Sequence, residues 1–297
     1  DSAARLLPKK CGIILSSRLL GGQRNGPQFQ CGGSVINSKY ILTAAHCVLD
    51  KEIEGVRIGE YDTTTDRDCD YSPLYSCDFH VETLIPHEKY DKSTHLNDIA
   101  LLRLGGEIDF NNTYIEPICL PTSAALRSKD LDNTSGVVAG WGYTERGQEY
   151  SVLQHREMHL ITNDECSNLY NRYKHDPINQ FCAGNLNENS CIGDSGGPII
   201  IANDYNGTYR YVQYGISSFG PVSYLASISY CWYGEIGART YILVGTRRTI
   251  GTGCHFQNVV DAAPRQLHQG CPPLWYCCEK STRPSVMPEE LDWKRIF

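Results

Sequence analysis

The sequence predicts an all-β chain, and three observations predict it. β-rich runs at 34–42, 55–58, 79–85, 99–104, 135–139, 152–161, 198–201 and 209–217 are each bounded by Gly, Pro, Asn or Asp, the pattern of short strands joined by turns. Helical periodicity is confined to a turn at 43–48 and a segment at 162–173, where Asn163 or Asp164 is placed to cap. Neither an internal repeat nor a low-complexity segment is visible, which excludes solenoids and propellers and leaves barrels or a sandwich.

Composition narrows the function classes. With 297 residues, 41% of them hydrophobic, the chain is long enough to bury a core and too apolar to be disordered throughout. Its net charge of −7, spread without long like-charge blocks, disfavours a nucleic-acid or anionic-membrane partner. No run approaches the roughly 18 apolar residues of a membrane-spanning helix. Asp1 opens no signal peptide, so the start reads as an internal cut. The 14 cysteines lack any Cys-x2-Cys pair, so disulfides fit better than zinc, and the sequons at Asn111, Asn133 and Asn206 agree with them: the expected location is secreted and extracellular. A metal site from Cys254, His255 and Cys271 is the weaker alternative.

Three distant segments carry chemistry. In Gly193-Asp194-Ser195-Gly196-Gly197-Pro198, small residues flank a serine, so a tight turn can present its hydroxyl and aim successive N–H groups at one spot. Leu42-Thr43-Ala44-Ala45-His46-Cys47 supplies an imidazole, and Asn97-Asp98-Ile99-Ala100-Leu101-Leu102 supplies a carboxylate at the start of an apolar strand. A serine hydroxyl needs a base, and the base needs a partner that fixes its tautomer. Against this stand plainer readings, Asp98 as a strand-end cap and Ser195 as an ordinary turn serine, which the co-occurrence of the segments outweighs. His80, His87, His95, His155, His159, His175, His255 and His268 carry no motif and read as surface or loop histidines.

In the order His46, Asp98, Ser195, with Gly140-Trp141-Gly142 between the last two, the chain resembles the chymotrypsin-like serine proteases over residues 19–220. Leu7-Pro8-Lys9-Lys10-Cys11-Gly12, Arg18-Leu19-Leu20-Gly21-Gly22, Glu60-Tyr61-Asp62-Thr63 with Cys69 and Cys77, and Glu116-Pro117-Ile118-Cys119-Leu120-Pro121 resemble the clip-domain members of arthropod immune and developmental cascades. The resemblance implies two antiparallel six-stranded Greek-key barrels with a divergent C-terminal tail. It divides the chain into a leader with the activation site at 1–18, a protease domain at 19–244 and an unassigned Cys- and Pro-rich tail at 245–297.

It also assigns roles. Ser195 is the nucleophile, His46 the general base and then acid, Asp98 the orienting carboxylate, and the N–H groups of Gly193 and Ser195 the oxyanion hole. Arg18 marks the activation cut, which frees an α-ammonium on Leu19 to pair with Asp194. The implied disulfides are Cys31 with Cys47, Cys166 with Cys182, Cys69 with Cys77, Cys11 with Cys119 and Cys191 with Cys231. Asn189, Ser218, Gly220 and Gly237 outline the specificity pocket. The implied partners are a protein zymogen as substrate, an upstream activating protease and a serpin inhibitor. No cofactor is expected; Glu60, Asp62, Asp66, Asp68 and Asp70 form an oxygen-rich loop of the kind that holds calcium, with a solvated acidic loop as the weightier alternative.

Three departures from the family pattern feed a rival reading, a non-catalytic homologue acting as a binding adaptor. Only 23–30 separate Gly22 from Cys31, where the family places its first apolar strand, so the first barrel is expected to be one strand short with an open edge. Asn189 stands where trypsin-like members carry Asp, and a neutral amide cannot form the bidentate ion pair that selects Arg or Lys. After Ser218-Phe219-Gly220 the family pattern is lost, and 237–244 is the segment that imitates its next strand.

Overall fold

The computed structural model describes residues 13–18, 28–60, 62–64, 78–110, 115–142, 151–169, 176–186, 195–205, 208–220 and 228–235. By its internal contacts the chain divides into Asp1–Thr240 and Tyr241–Phe297, and the second unit lies wholly outside the described residues.

Among the described residues, twelve strands build two barrels. The first contains β1 (Ile13–Arg18), β2 (Gln28–Val35), β3 (Tyr40–Thr43), β4 (Glu52–Ile58), β5 (Asp78–Pro86) and β6 (Ala100–Leu104). The second contains β7 (Ser135–Gly140), β8 (Gln154–Ile161), β9 (Gln180–Leu186), β10 (Pro198–Tyr205), β11 (Thr208–Phe219) and β12 (Ile228–Glu235). The rings close in the orders β1-β2-β3-β6-β5-β4 and β7-β8-β9-β12-β11-β10, the same connectivity twice, with every neighbouring pair antiparallel.

The first barrel is therefore not a strand short. Ile13–Arg18, read from sequence as part of a leader, takes the place between β2 and β4 and removes the expected open edge. In the second barrel the closing strand is Ile228–Glu235, paired with both β11 and β9, whereas 237–244 lies outside the described residues.

Alternation drives each barrel's filling. Along β5, exposed and buried residues alternate from Asp78 to Glu82, and a pleated strand sends those two sets to opposite faces. Ile41, Leu42, Ile58, Leu102 and Leu104 on strands of the first barrel, and Met158, Leu160 and Ile199 on strands of the second, are all almost fully buried. The run expected at 34–42 is two strands: the Asn37 carboxamide oxygen accepts N–H bonds from Lys39 and Tyr40, both at 2.9 Å, folding the chain back on itself.

Helix is sparse. A four-residue α1 (Ala124–Arg127) follows the Ser123 hydroxyl cap, and α2 (Asn163–Leu169) opens on a capping box. Thr162 makes that box, its Oγ1 accepting from the Glu165 N–H at 3.2 Å while Glu165 Oε2 accepts the Thr162 N–H at 3.1 Å. The cap thus sits one residue before the two candidates read from sequence.

The strap between the barrels stitches them together. The Ile118 N–H donates to the Val35 carbonyl at 2.9 Å in the first barrel, and the Cys119 carbonyl accepts from the Gln213 N–H at 2.9 Å in the second.

Candidate active site

His46 rides on a single 3-10 turn, Ala45–Cys47, directly after β3, and Asp98 lies two residues before β6, the strand paired with β3. The neighbouring strands bring both residues to the same end of the barrel. His46 Nδ1 is 2.7 Å from Asp98 Oδ2, and the His46 main-chain N–H donates to Asp98 Oδ1 at 2.8 Å. A third donor comes from the other barrel: the Ser218 hydroxyl reaches Asp98 Oδ2 at 2.5 Å.

Asp98 is 2% exposed. Burial alone would push its carboxyl upward, but the His46 ring and the Ser218 hydroxyl outweigh it and hold the group below the usual carboxylate range. An ionised carboxylate only accepts, so the His46 proton resides on Nδ1 and the Nε2 lone pair is left to act as a base.

Ser195 is fixed through its backbone from both barrels. Its carbonyl accepts the Gly32 N–H of β2 at 2.7 Å, and the next amide, Gly196 N–H, donates to the Ser217 carbonyl of β11 at 2.8 Å. Gly196 has φ +79°, and a Cβ there would strike Thr43 Oγ1 and the Gly32 carbonyl, so the position admits only glycine. Where that Cβ would sit, Cys47 Sγ is 3.1 Å away, and the same sulfur lies 3.6 Å from His46 Nε2. The Cys31–Cys47 disulfide joins the residue before Gly32 to the residue after His46. The ties to serine and to histidine thus run through one covalent link.

Beside this centre stands His95, which the sequence reading grouped with surface and loop histidines. Its half-buried ring stacks on Phe219 with centroids 4.7 Å apart and meets the His46 ring edge-on at 6.3 Å. Tyr90 flanks it, with its hydroxyl 3.4 Å from His95 Nδ1. Burial pushes the His95 imidazole down, with Asp98 and Asp91 opposing and His46 assisting. No local sequence signal marks it; the structure places it where His95 and Asn97 both hold positive φ, 54° and 56°, turning the chain tightly just before Asp98.

Of the implied disulfides, Cys31–Cys47 and Cys166–Cys182 are present, the second fastening α2 to β9 in a cluster that also packs Ile161 and Phe219. Cys119 is disulfide-bonded, while Cys11, Cys69, Cys77 and Cys191 lie outside the described residues, as do Leu19, Asn189, Gly193, Asp194, Gly237, Asn111 and Asn206. Arg18 ends β1, Cys231 sits in β12 opposite Ala183, and Gly220 follows β11. Asn133 is exposed at φ 54°.

Ligand-type atoms gather, among the described residues, at Cys31, His46 and Cys47. The two sulfurs are bonded to each other and offer no thiolate. In the acidic loop, Glu60 is buried against Arg57 at 3.2 Å, and Asp62 Oδ1 accepts from the Thr64 amide and hydroxyl at 3.0 and 2.7 Å. Asp66, Asp68 and Asp70 lie outside the described residues. No helix among the described residues is long and apolar enough to cross a membrane.

Paired barrels with an acid-anchored histidine, and a serine whose carbonyl is held by the opposite barrel, define the chymotrypsin-like architecture. The Trypsin family model matches residues 17–229, and the chain belongs to that family. Melanization protease 1 of Drosophila melanogaster is 36% identical over 256 residues, covering 74% of this chain and 64% of that protein. The CLIP domain-containing serine protease HP8 of Bombyx mori is 37% identical over 243 residues, covering 72% and 65%. The crystal structure of the Drosophila Grass clip serine protease of the Toll pathway superposes with a TM-score of 0.64 at 33% identity, covering 76% of this chain and 65% of that one. The chain thus matches a little under two thirds of the length of these relatives.

Proposed function

We propose that this protein is a secreted serine endopeptidase, activated by cleavage after Arg18, that hydrolyses peptide bonds of protein zymogens in an extracellular immune or developmental cascade. The observation that carries the reading is the His46–Asp98 pair, with Nδ1 engaged at 2.7 Å and Nε2 left basic. Ser195 Oγ attacks the scissile carbonyl while His46 Nε2 takes its proton, and Asp98 stabilises the resulting imidazolium. The N–H groups of Gly193 and Ser195 stabilise the oxyanion, a contribution of about 3 kcal/mol per donor. His46 then protonates the leaving amine, and water repeats the sequence on the acyl-enzyme.

The relatives named for melanization and the Toll pathway support the cascade, and the disulfides agree with secretion. The Leu19 ammonium released by the cut pairs with Asp194 and orders the oxyanion turn, since a buried carboxylate without a counter-charge is costly. Asn189 directs the pocket away from Arg and Lys. The partners are the zymogen substrate, the activating protease and a serpin.

Asn189 also favours the competing reading, an adaptor that keeps the triad without turnover. Covalent labelling of Ser195 by an active-site phosphonate after cleavage at Arg18 decides between them. A label is expected; folded, cleaved protein that takes none overturns the protease reading.

A further inference from the structure

We infer that β1, on the N-terminal side of the proposed cut, is a permanent strand of the first barrel that positions the active site, so that cleavage after Arg18 leaves residues 13–18 seated without any need of a disulfide tether. The inference rests on the proposed cut after Arg18.

β1 is paired on both sides. It runs from Ile13↔Gly33 to Ser17↔Gln28 along β2, and from Ile13↔Ile58 to Arg18↔Glu52 along β4. The bond after Arg18 begins the 19–27 connection, beyond the last paired residue, so cutting it breaks no rung of either ladder. Departure of the strand would instead open the ring and strand the facing N–H and C=O groups of β2 and β4.

The register gives β1 a role in the site. Ile14 stands opposite Gly32, and Leu15 opposite Cys31. Gly32 donates its N–H to the Ser195 carbonyl at 2.7 Å and accepts the Thr43 hydroxyl at 2.8 Å. Cys31 is bonded to Cys47, the neighbour of His46. The two β2 residues that hold the serine and the histidine in place are therefore both backed by β1. A one-residue slip of β2 would shift both, because the side-chain period of a strand is two. β1 is a positioning element: it touches no substrate and acts through Gly32 and Cys31.

Two measurements test this. In the unmodified, uncut chain, hydrogen exchange is expected to protect the 14–17 amides as strongly as those of β3; exchange at the rate of a free 13–18 peptide overturns the inference. In the variant Cys11→Ser with Cys119→Ser, cut with trypsin and checked by N-terminal sequencing at Leu19, residues 1–18 are expected to co-elute with the rest on native gel filtration. Separate elution overturns it too. Should that variant fail to fold, the exchange measurement on the unmodified chain stands alone. Phosphonate labelling separates the two proposals. A retained leader with an unlabelled Ser195 sinks only the protease reading, and a labelled Ser195 with a released leader sinks only this one.

Discussion

The two barrels share one strand order but differ in where their strands come from. The second draws all six from a run on one side of Arg18, whereas the first takes its opening strand from the other side. Their contributions to the site are reciprocal: the first barrel lends the Gly32 N–H to Ser195, and the second lends the Ser218 hydroxyl to Asp98. The first, whose continuity the proposed cut would interrupt, holds both His46 and Asp98, so on the protease reading its integrity is expected to bear directly on activity.

Replacing a member of the catalytic set breaks the comparison at its centre. Ser195→Ala and His46→Ala are each expected to lower kcat by about a million-fold; calorimetry should find the thermal midpoint unchanged for Ser195→Ala and lowered for His46→Ala, which leaves the buried Asp98 without its main partner. If His46→Ala instead costs less than tenfold, the first barrel is not the seat of the base.

Gly196→Ala is expected to hit both halves at once. Its φ of +79° and its contacts with Thr43 and Gly32 leave no room for a methyl group, so a destabilisation of about 3 kcal/mol in urea unfolding should accompany lost labelling of Ser195. Removing the Cys31–Cys47 link as Cys31→Ser with Cys47→Ser opens a loop of 16 residues, worth about 3 kcal/mol on the chain-entropy account. Here stability should fall first, with activity following as the first barrel loosens. Ser218→Ala removes the second barrel's gift to Asp98 and is expected to cost about 2 kcal/mol, some thirtyfold in kcat/KM, by the usual worth of a hydrogen bond to a charged group.

The smallest effects are those of pH. Asp98 is held below its ordinary range, so its contribution to stability is complete above the unfolded value near ~3.9 and is lost as pH falls through the lower folded one. His95 is also shifted down, chiefly by burial. Between its folded and unfolded values the unfolded chain binds more protons, so stability rises with pH up to about 6.5. His95→Phe should flatten that rise in unfolding titrations while keeping the stack on Phe219; an unchanged slope would place the titrating group elsewhere.

Much of the site could be read from local text. The glycines around Ser195, the flanks of His46 and the apolar run after Asp98 each state a backbone requirement in a few residues. Strands bounded by turn residues, such as β5, β6, β7 and β10, were legible for the same reason. β9 was not: Ala183, Gly184 and Asn185 are poor strand formers, and the strand exists because β8 and β12 pair with it on both sides. Ser218 was assigned to a pocket wall, and its bond to Asp98, 120 residues away in sequence, left no local trace.

Residue identity by itself determined an all-β chain with a histidine, an aspartate and a glycine-flanked serine in a definite order, because those features depend on chemistry and short-range pattern. Tertiary structure alone decided that Ile13–Arg18 is a barrel strand, that His95 lies beside His46, and that each barrel hydrogen-bonds a residue of the other, Gly32 to Ser195 and Ser218 to Asp98. These depend on which distant backbones share hydrogen bonds, a choice made by closing the ring and burying its core rather than by any single stretch of sequence.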